Sequence, residues 1–421
     1  MANRMKPVLA IVVGGGPAPG INGVISAATI EARNRGWTVL GILDGFKHLM
    51  KGDISQTVAL NITDVSRIHR TGGSILCTSR ANPTKRPRDL RQVLRSVKRM
   101  KVTHLLTIGG DDTCLTASRV AHEATNLRVA HVPKTIDNDL PLPEGDTFGF
   151  QTARAVGTQL VANLMADAKT TNRPYLVEVM GRHAGHLALG IGKAAGATLT
   201  LIPEEFDHER IALRRLVDIL FTSIAKRRAA GSMHSVTVIA EGLVERLTDR
   251  SLAAVGVPPA DEFGNLQLAD ADLVGTLRNA LAKRMKQCGW SPSIVSKNIG
   301  YELRSADPIP SDCEYVRDLG YAAIKLLDKK QDPELPENGA LVCIPGGKLH
   351  PIPFSQIMDS TGKRVRIRMV ETDTEKYAVA RSYMIRLEPE DLGNKMRLNK
   401  LARTCKMTPA RFKKRFQYLV R

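Results

Sequence analysis

The run Gly109-Gly110-Asp111-Asp112-Thr113 joins main chain without side chains to two adjacent carboxylates. It follows an apolar stretch at 102–108 and precedes a helix-like stretch at 114–123. That pattern suits phosphate chemistry. Glycines let a phosphoryl group approach the main chain, and a helix start offers free N–H groups at the positive end of its dipole. A carboxylate there can hold Mg²⁺, which takes carboxylate and phosphate oxygens together. Asp112 adds a second negative charge where a long polyphosphate tail would lie.

Four further segments carry reactive side chains. The loop Gly14-Gly15-Gly16-Pro17-Ala18-Pro19-Gly20 closes the first apolar run. Gly14 and Gly16 begin a dinucleotide-binding register that Pro19 breaks, although Asp44 supplies an acid after the second strand. In Lys134-Thr135-Ile136-Asp137-Asn138-Asp139 the acids alternate, so an extended chain would project Asp137 and Asp139 to one side. Transfer of a phosphoryl group to an alcohol uses one carboxylate to accept the hydroxyl proton. The competing reading is a turn in which Asp and Asn bond their own backbone. Lys134 contributes a compact positive charge. Met180-Gly181-Arg182 offers a planar guanidinium for phosphate, while the nearby His183 and His186 read as helix-start residues more readily than as a metal pair. Arg304, in Gly300-Tyr301-Glu302-Leu303-Arg304, is a candidate second phosphate clamp, although a single arginine is most often a solvated surface residue.

Alternating apolar runs and helical patterns must position these groups. Strands are expected at 7–13, 37–43, 102–108, 129–132, 174–180, 198–202, 235–240 and 340–344. Helices are expected at 21–34, 114–123, 150–168, 184–195, 211–228, 273–287 and 311–327. The alternation indicates a doubly wound α/β protein with mainly parallel sheets. Catalytic groups then belong outside the carboxyl ends of the strands. The segment 246–267, rich in Asp, Gly and Pro, reads as a surface excursion anchored by residues such as Leu252 and Val255.

Composition narrows the class. The chain has 421 residues, 43% of them apolar and only 4% aromatic, enough to bury a large core in one to three domains. No apolar run reaches the roughly 18 residues of a membrane-spanning helix. Residues 1–6 lack the apolar stretch of a secretory signal. Cys77, Cys114, Cys288, Cys313, Cys343 and Cys405 form no CxxC pair, which suits free thiols in a reducing cytoplasm. The net charge of +19 peaks at 85–101, 364–368 and 395–421. A basic nucleic-acid-binding protein is therefore the alternative from another class, with Phe412, Phe416 and Tyr418 interleaved among tail cations. The charge is spread along the chain, and nucleic acid is not expected as the main partner.

In order along 7–345, these segments resemble the phosphofructokinase family. The matching motifs are Pro19-Gly20-Ile21-Asn22, Gly109 to Asp111, Thr135 to Asp139, Met180-Gly181-Arg182, Pro203-Glu204-Glu205, Glu241-Gly242, and Gly300-Tyr301 with Arg304. The resemblance implies transfer of a phosphoryl group to the 1-hydroxyl of fructose 6-phosphate. It implies two Rossmann-like doubly wound domains with the active site in the cleft between them. Residues 1–148, completed by about 308–350, would form the donor domain, 149–307 the sugar-phosphate domain, and 351–421 a basic C-terminal extension. Asp137 would be the base, Asp139 its support and Asp111 the Mg²⁺ ligand. Gly15, Gly16, Gly110 and Thr113 would contact the donor, and Arg80 would bridge donor and acceptor. Arg182 would stabilise the transferring group. Thr135, Glu241, Tyr301 and Arg304 would hold the sugar phosphate in a pocket lined by Met180 and Gly181. Arg173 would reach a neighbouring subunit's sugar phosphate, implying a homodimer or homotetramer.

Two positions bear on the donor. Members that use ATP commonly carry glycine where this chain has Asp112, and many carry glycine in place of Lys134. The pair resembles the pyrophosphate-dependent branch, with the ATP-dependent enzyme as the alternative. A carboxylate 4 Å from an α-phosphate costs roughly 4 kcal/mol at an effective dielectric near 20. Pyrophosphate has no such phosphate. Pro17, Tyr301 and Ser305-Ala306-Asp307 depart from the common pattern.

Overall fold

The computed structural model describes residues 6–206, 209–257, 271–291, 293–328 and 339–420. Residues 1–5, and 258–267 of the expected excursion, lie outside the described residues. The chain divides into two units, Met1–Ala153 with Tyr301–Arg368 and Arg154–Gly300 with Met369–Arg421.

The described strands, in chain order, are β1 (Val8–Val13), β2 (Thr38–Ile42), β3 (Thr57–Ala59), β4 (His104–Gly109), β5 (Arg128–Thr135), β6 (Phe148–Gly149), β7 (Pro174–Val179), β8 (Leu199–Leu201), β9 (Ser235–Ala240), β10 (Val295–Ile299), β11 (Gly339–Cys343) and β12 (His350–Pro353). In the first unit they order as β12-β11-β5-β4-β1-β2-β3, with β6 beside β5. The ladders are parallel except at the edges, where β3 and β12 run antiparallel. β12 falls in the segment expected to begin the C-terminal extension, and two prolines disguise it. An edge strand tolerates them because one side of its ladder needs no donors.

Continuous apolar runs become strands buried on both faces. Along β1, Leu9, Ile11 and Val13 join a core with the Ile21–Asn34 and Pro310–Asp328 helices. Ala10 and Val12 point the other way, to a core with the Pro87–Arg99 and Asp111–Glu123 helices. Each fully buried Val or Leu contributes about 1.5–3 kcal/mol against exposure. Buried Asp312 accepts from the Gly149 N–H at 3.2 Å and the Thr152 N–H at 2.8 Å, fixing the start of the Phe150–Thr171 helix.

The second unit carries a wholly parallel sheet, β10-β7-β9-β8. The Leu213–Ala229 and Leu273–Gln287 helices accompany it. Leu252 and Val255 are buried, so the described part of the excursion is anchored as expected. The end of the chain packs as helices, with Phe412 and Phe416 fully buried and Phe416 stacked on Phe221 at 5.7 Å. The Tyr418 hydroxyl donates to Asp218 at 2.8 Å. The tail aromatics are therefore unavailable for base stacking, which removes the main support for the nucleic-acid reading.

Candidate active site

In the first unit the strands β1, β4 and β5 end side by side, with Val13 opposite Ile108 and Ile108 opposite Val132. The loops leaving them therefore gather on one edge. The Gly14 N–H donates to the Ile108 carbonyl and the Gly15 N–H to the Ser79 carbonyl, each at 2.9 Å. Gly15 has a φ of 84°, a left-handed value that disfavours a side chain. Arg80 follows Ser79 directly and is exposed.

The glycines divide between packing and access. A Cβ on Gly14 or Gly109 would stand 2.3 or 2.4 Å from Thr113 Oγ1, so both make room for that buried threonine. For Gly109, packing against Thr113 is a requirement that the sequence did not reveal. Gly110 has open space, since a Cβ there would come no closer than 3.6 Å to the Lys134 carbonyl oxygen. The helix after it begins at Asp111, earlier than the expected 114. Both acids consequently sit in its first turn, where the dipole favours negative charge.

Asp112 is exposed, and its Oδ1 accepts from Asn82 Nδ2 at 3.0 Å. Asn82 also caps the short Pro83–Lys85 helix by accepting from the Thr84 N–H at 2.9 Å. Sequence reasoning missed Asn82; its signal was the Asn-Pro pair that opens a turn. Lys134 is buried, and its Nζ donates to the Gly16 carbonyl at 2.6 Å.

Past Lys134 the chain bends instead of running on as a strand. Strand β5 ends at Thr135, and Asn138 adopts a left-handed φ of 58°. The alternating projection expected of an extended segment does not occur. Asn138 accepts from the Thr147 N–H at 3.0 Å and donates to Asp146 at 2.6 Å, so bonding to the returning chain overrides the strand pattern. The Asp137 N–H donates to Thr135 Oγ1 at 3.0 Å, and Asp137 and Asp139 are both buried.

Arg368 girdles this bend. Its N–H donates to the Asp139 carbonyl at 2.7 Å, Nε to the Asn138 carbonyl at 3.1 Å, and Nη1 to the Gly145 carbonyl at 3.0 Å. Sequence reasoning left it inside a basic run. Arg304 lies at the glycine loop: a Cβ on Gly16 would stand 3.0 Å from its Nη1. Its guanidinium covers the Tyr301 ring at 4.5 Å, and its buried Nε has no hydrogen-bond acceptor. Tyr301 itself is largely exposed.

In the second unit, Met180, Gly181 and Arg182 leave the carboxyl end of β7, and Glu241 leaves the adjacent β9. Glu241 Oε1 accepts from the Gly181 N–H at 3.2 Å and the Arg182 N–H at 2.6 Å. Arg182 has a left-handed φ of 50° and is exposed. His183 Nδ1 lies 2.5 Å from Glu245, a partner the sequence did not reveal. Arg173 precedes the first residue of β7, whereas Met180 follows its last. At about 3.3 Å per residue a six-residue strand separates them by about 20 Å, so the unit does not bring Arg173 to the Met180–Arg182 loop.

Beneath that loop, buried Glu178 has an Oε2 with no hydrogen-bond partner among the described residues. Burial, then the Glu241 and Asp272 carboxylates, push its carboxyl up to about 7. Glu204 is raised mainly by burial, although it accepts from the Gly185 N–H at 2.8 Å and the Val370 N–H at 3.0 Å.

Open glycine backbone, a helix-start carboxylate pair, an anchored lysine and buried aspartates are group types that phosphoryl transfer uses. The phosphofructokinase family model matches residues 8–327, and the chain belongs to that family. Within it, the chain is 50% identical over 416 residues to the pyrophosphate–fructose 6-phosphate 1-phosphotransferase of Thermotoga maritima, covering 98% of each. It is 46% identical over 425 aligned residues to the enzyme of the same name from Naegleria fowleri, covering 98% of this chain and 96% of the other. Among solved structures, the pyrophosphate-dependent phosphofructokinase from Marinobacter aquaeolei superposes with a TM-score of 0.66 at 16% identity, over 90% of this chain and 91% of that one, a likeness of fold.

Proposed function

We infer that the chain transfers a phosphoryl group from pyrophosphate to the 1-hydroxyl of fructose 6-phosphate, releasing phosphate and fructose 1,6-bisphosphate. The observation that carries this reading is 50% and 46% identity, over nearly the full length, to two relatives bearing that activity in their names. Asp112, oriented by Asn82, supports the choice of donor. A negative charge fixed beside the metal aspartate disfavours a donor with a further phosphate. Lys134, anchored at the glycine loop, supplies the compact positive charge that pyrophosphate needs.

The chemistry follows from these roles. Asp137 accepts the proton of the 1-hydroxyl as that oxygen bonds to phosphorus and the P–O–P bridge breaks, leaving the electron pair on departing phosphate. Asp139, held in the same bend, keeps that carboxylate in place. Arg182 offsets charge on the transferring group. Gly15, Gly16, Gly110, Thr113 and Arg80 serve the donor. Thr135, Met180, Gly181, Glu241, Tyr301 and Arg304 serve the sugar phosphate.

Asp111 fits Mg²⁺: one carboxylate at a helix start, beside open glycine backbone, leaves the remaining positions for phosphate oxygens and water. When bound, Mg²⁺ neutralises charge on the donor phosphates. Arg173 suits a sugar-phosphate contact in a neighbouring copy, and with it a homodimer or homotetramer. The six free cysteines suit a reducing cytoplasm, and no helix among the described residues is long and apolar enough to cross a membrane.

The test is turnover of fructose 6-phosphate with Mg²⁺ and either pyrophosphate or ATP. Pyrophosphate should support turnover and ATP scarcely any. The opposite preference overturns the donor assignment.

A further inference from the structure

The basic tail has a feature that phosphoryl transfer does not use. Arg214, Arg284, Arg411, Lys414 and Arg415 line a wide-open surface cavity of about 500 Å³ in the second unit. Arg214 opens the Leu213–Ala229 helix and Arg284 lies near the end of Leu273–Gln287. The other three stand on the Pro409–Phe416 helix. All five lining side chains are cationic.

Among the described residues, one acid pairs with them. Asp218 is completely buried, with its Oδ1 2.9 Å from Arg284 Nη2 and its Oδ2 3.5 Å from Arg214 Nε. Tyr418 donates to the same carboxylate. That single charge leaves the cluster strongly positive. Arg284, whose side chain is only 11% exposed, keeps a buried Nη1 without a hydrogen-bond acceptor among the described residues. Arg415 likewise has a buried Nε with no acceptor among those residues. Buried donors are normally satisfied, and a guanidinium left short of acceptors in a cationic cavity favours an incoming oxyanion.

We propose that this cavity binds a small, multiply charged phosphate anion, and that the anion fastens the Pro409–Phe416 helix to the rest of the second unit. The chemistry selects the ligand class. Phosphate oxygens are acceptors only, as unmet guanidinium donors require. Several negative charges answer several cations gathered from three helices. Nucleic acid fits less well because Phe412 and Phe416, the aromatics of this helix, are buried against Phe221 and each other and offer no stacking platform. The function is a structural or regulatory clamp. Phe416 stacks on Phe221, which stacks on Trp290 at 5.2 Å, so occupancy of the cavity is coupled to packing around that tryptophan.

The chain has two tryptophans, and the other, Trp37, is in the first unit. The full-length Trp37→Phe variant would therefore report through Trp290 alone. Titration with tripolyphosphate at fixed ionic strength, without Mg²⁺ or sugar phosphate, should give a saturable change in Trp290 emission and a higher unfolding midpoint. Adding Arg411→Ala and Lys414→Ala, both exposed in this chain, should weaken that response roughly tenfold or more while turnover with pyrophosphate persists. Binding at the reacting centre would survive those substitutions, so an unchanged response overturns the proposal. Equal effects of sulfate and tripolyphosphate, or tighter binding of a single-stranded oligonucleotide, also overturn it. Equal binding of ATP and tripolyphosphate assigns the phosphate chain as the recognised group, and tighter ATP assigns a nucleotide. Independently of any substitution, tripolyphosphate should slow acetylation of Lys414 in the native chain, read by mass spectrometry. Unchanged reactivity of Lys414 counts against the site.

Discussion

Lys134 Nζ donates to the main-chain carbonyl of Gly16 across 2.6 Å. The bond joins the end of β5 to the glycine loop after β1, so one side chain both carries charge and sets the loop. Lys134→Gly should therefore raise KM for pyrophosphate by about tenfold or more, the loss expected for a charge-assisted contact. Fructose 6-phosphate should keep its KM. Steady-state kinetics with each substrate varied in turn checks this, and an unchanged pyrophosphate KM would remove Lys134 from the donor site.

Asp112 is the second half of the proposed donor choice. Its carboxylate is oriented by Asn82, which makes the negative charge a fixed feature. Asp112→Gly, alone or with Lys134→Gly, should relieve a repulsion of roughly 4 kcal/mol toward a third phosphate. The measurement is kcat/KM with ATP relative to pyrophosphate. No gain in ATP use by either variant would refute the electrostatic account. Asn82→Ala should shift the same ratio in the same direction by a smaller amount, because the carboxylate remains but loses its orientation.

Asp137→Ala should lower kcat by about 10²–10⁴, the range for removing a general base, while fructose 6-phosphate still binds. Calorimetric titration with the sugar phosphate separates the two effects. Near-normal turnover would place the base elsewhere.

Arg368 acts through the bend that carries Asp137 and Asp139. Three main-chain carbonyls, those of Asp139, Asn138 and Gly145, accept from its main chain and guanidinium. Arg368→Ala should lower kcat more than it raises KM, because the acids stay on the chain but lose their fixed position. Arg368→Lys should recover only part of that loss, since an ammonium cannot reproduce the forked contacts. Equal kcat in wild type and Arg368→Ala would assign the arginine a structural role alone.

Much of this arrangement was legible in the sequence, for a physical reason. Strands buried on both faces must be continuous apolar runs, and 235–240 and 273–287 form the expected β9 and Leu273–Gln287 helix. Glycines and acids after such runs mark strand ends. Contacts distant along the chain were hidden. Nothing in the basic run at 364–368 distinguishes Arg368, whose partner Asn138 is 230 residues away. The alternation of Ile136 to Asp139 suggested a strand, but a left-handed Asn138 bonded to Asp146 and Thr147 defeated it. Phe412 and Phe416 looked like stacking residues because sequence spacing does not say which face of a short helix is covered.

Glu178 supplies a stability prediction. Its ordinary carboxyl value is 4.5, and in the folded chain burial and the Glu241 and Asp272 carboxylates raise it to about 7. Between those values the folded chain holds a proton that the unfolded chain has released. The favourable contribution is thus fully present below about pH 4.5 and disappears as pH rises through about 7. Above that, ionised Glu178 faces Glu241 without compensation. Glu178→Gln keeps the shape and removes the titration, so it should gain on wild type as pH rises from 5 to 8, by roughly 1–3 kcal/mol. Urea unfolding of both proteins across that range measures the difference. Parallel stability curves would mean that Glu178 ionises as easily folded as unfolded, and that the orphaned Oε2 is satisfied by water.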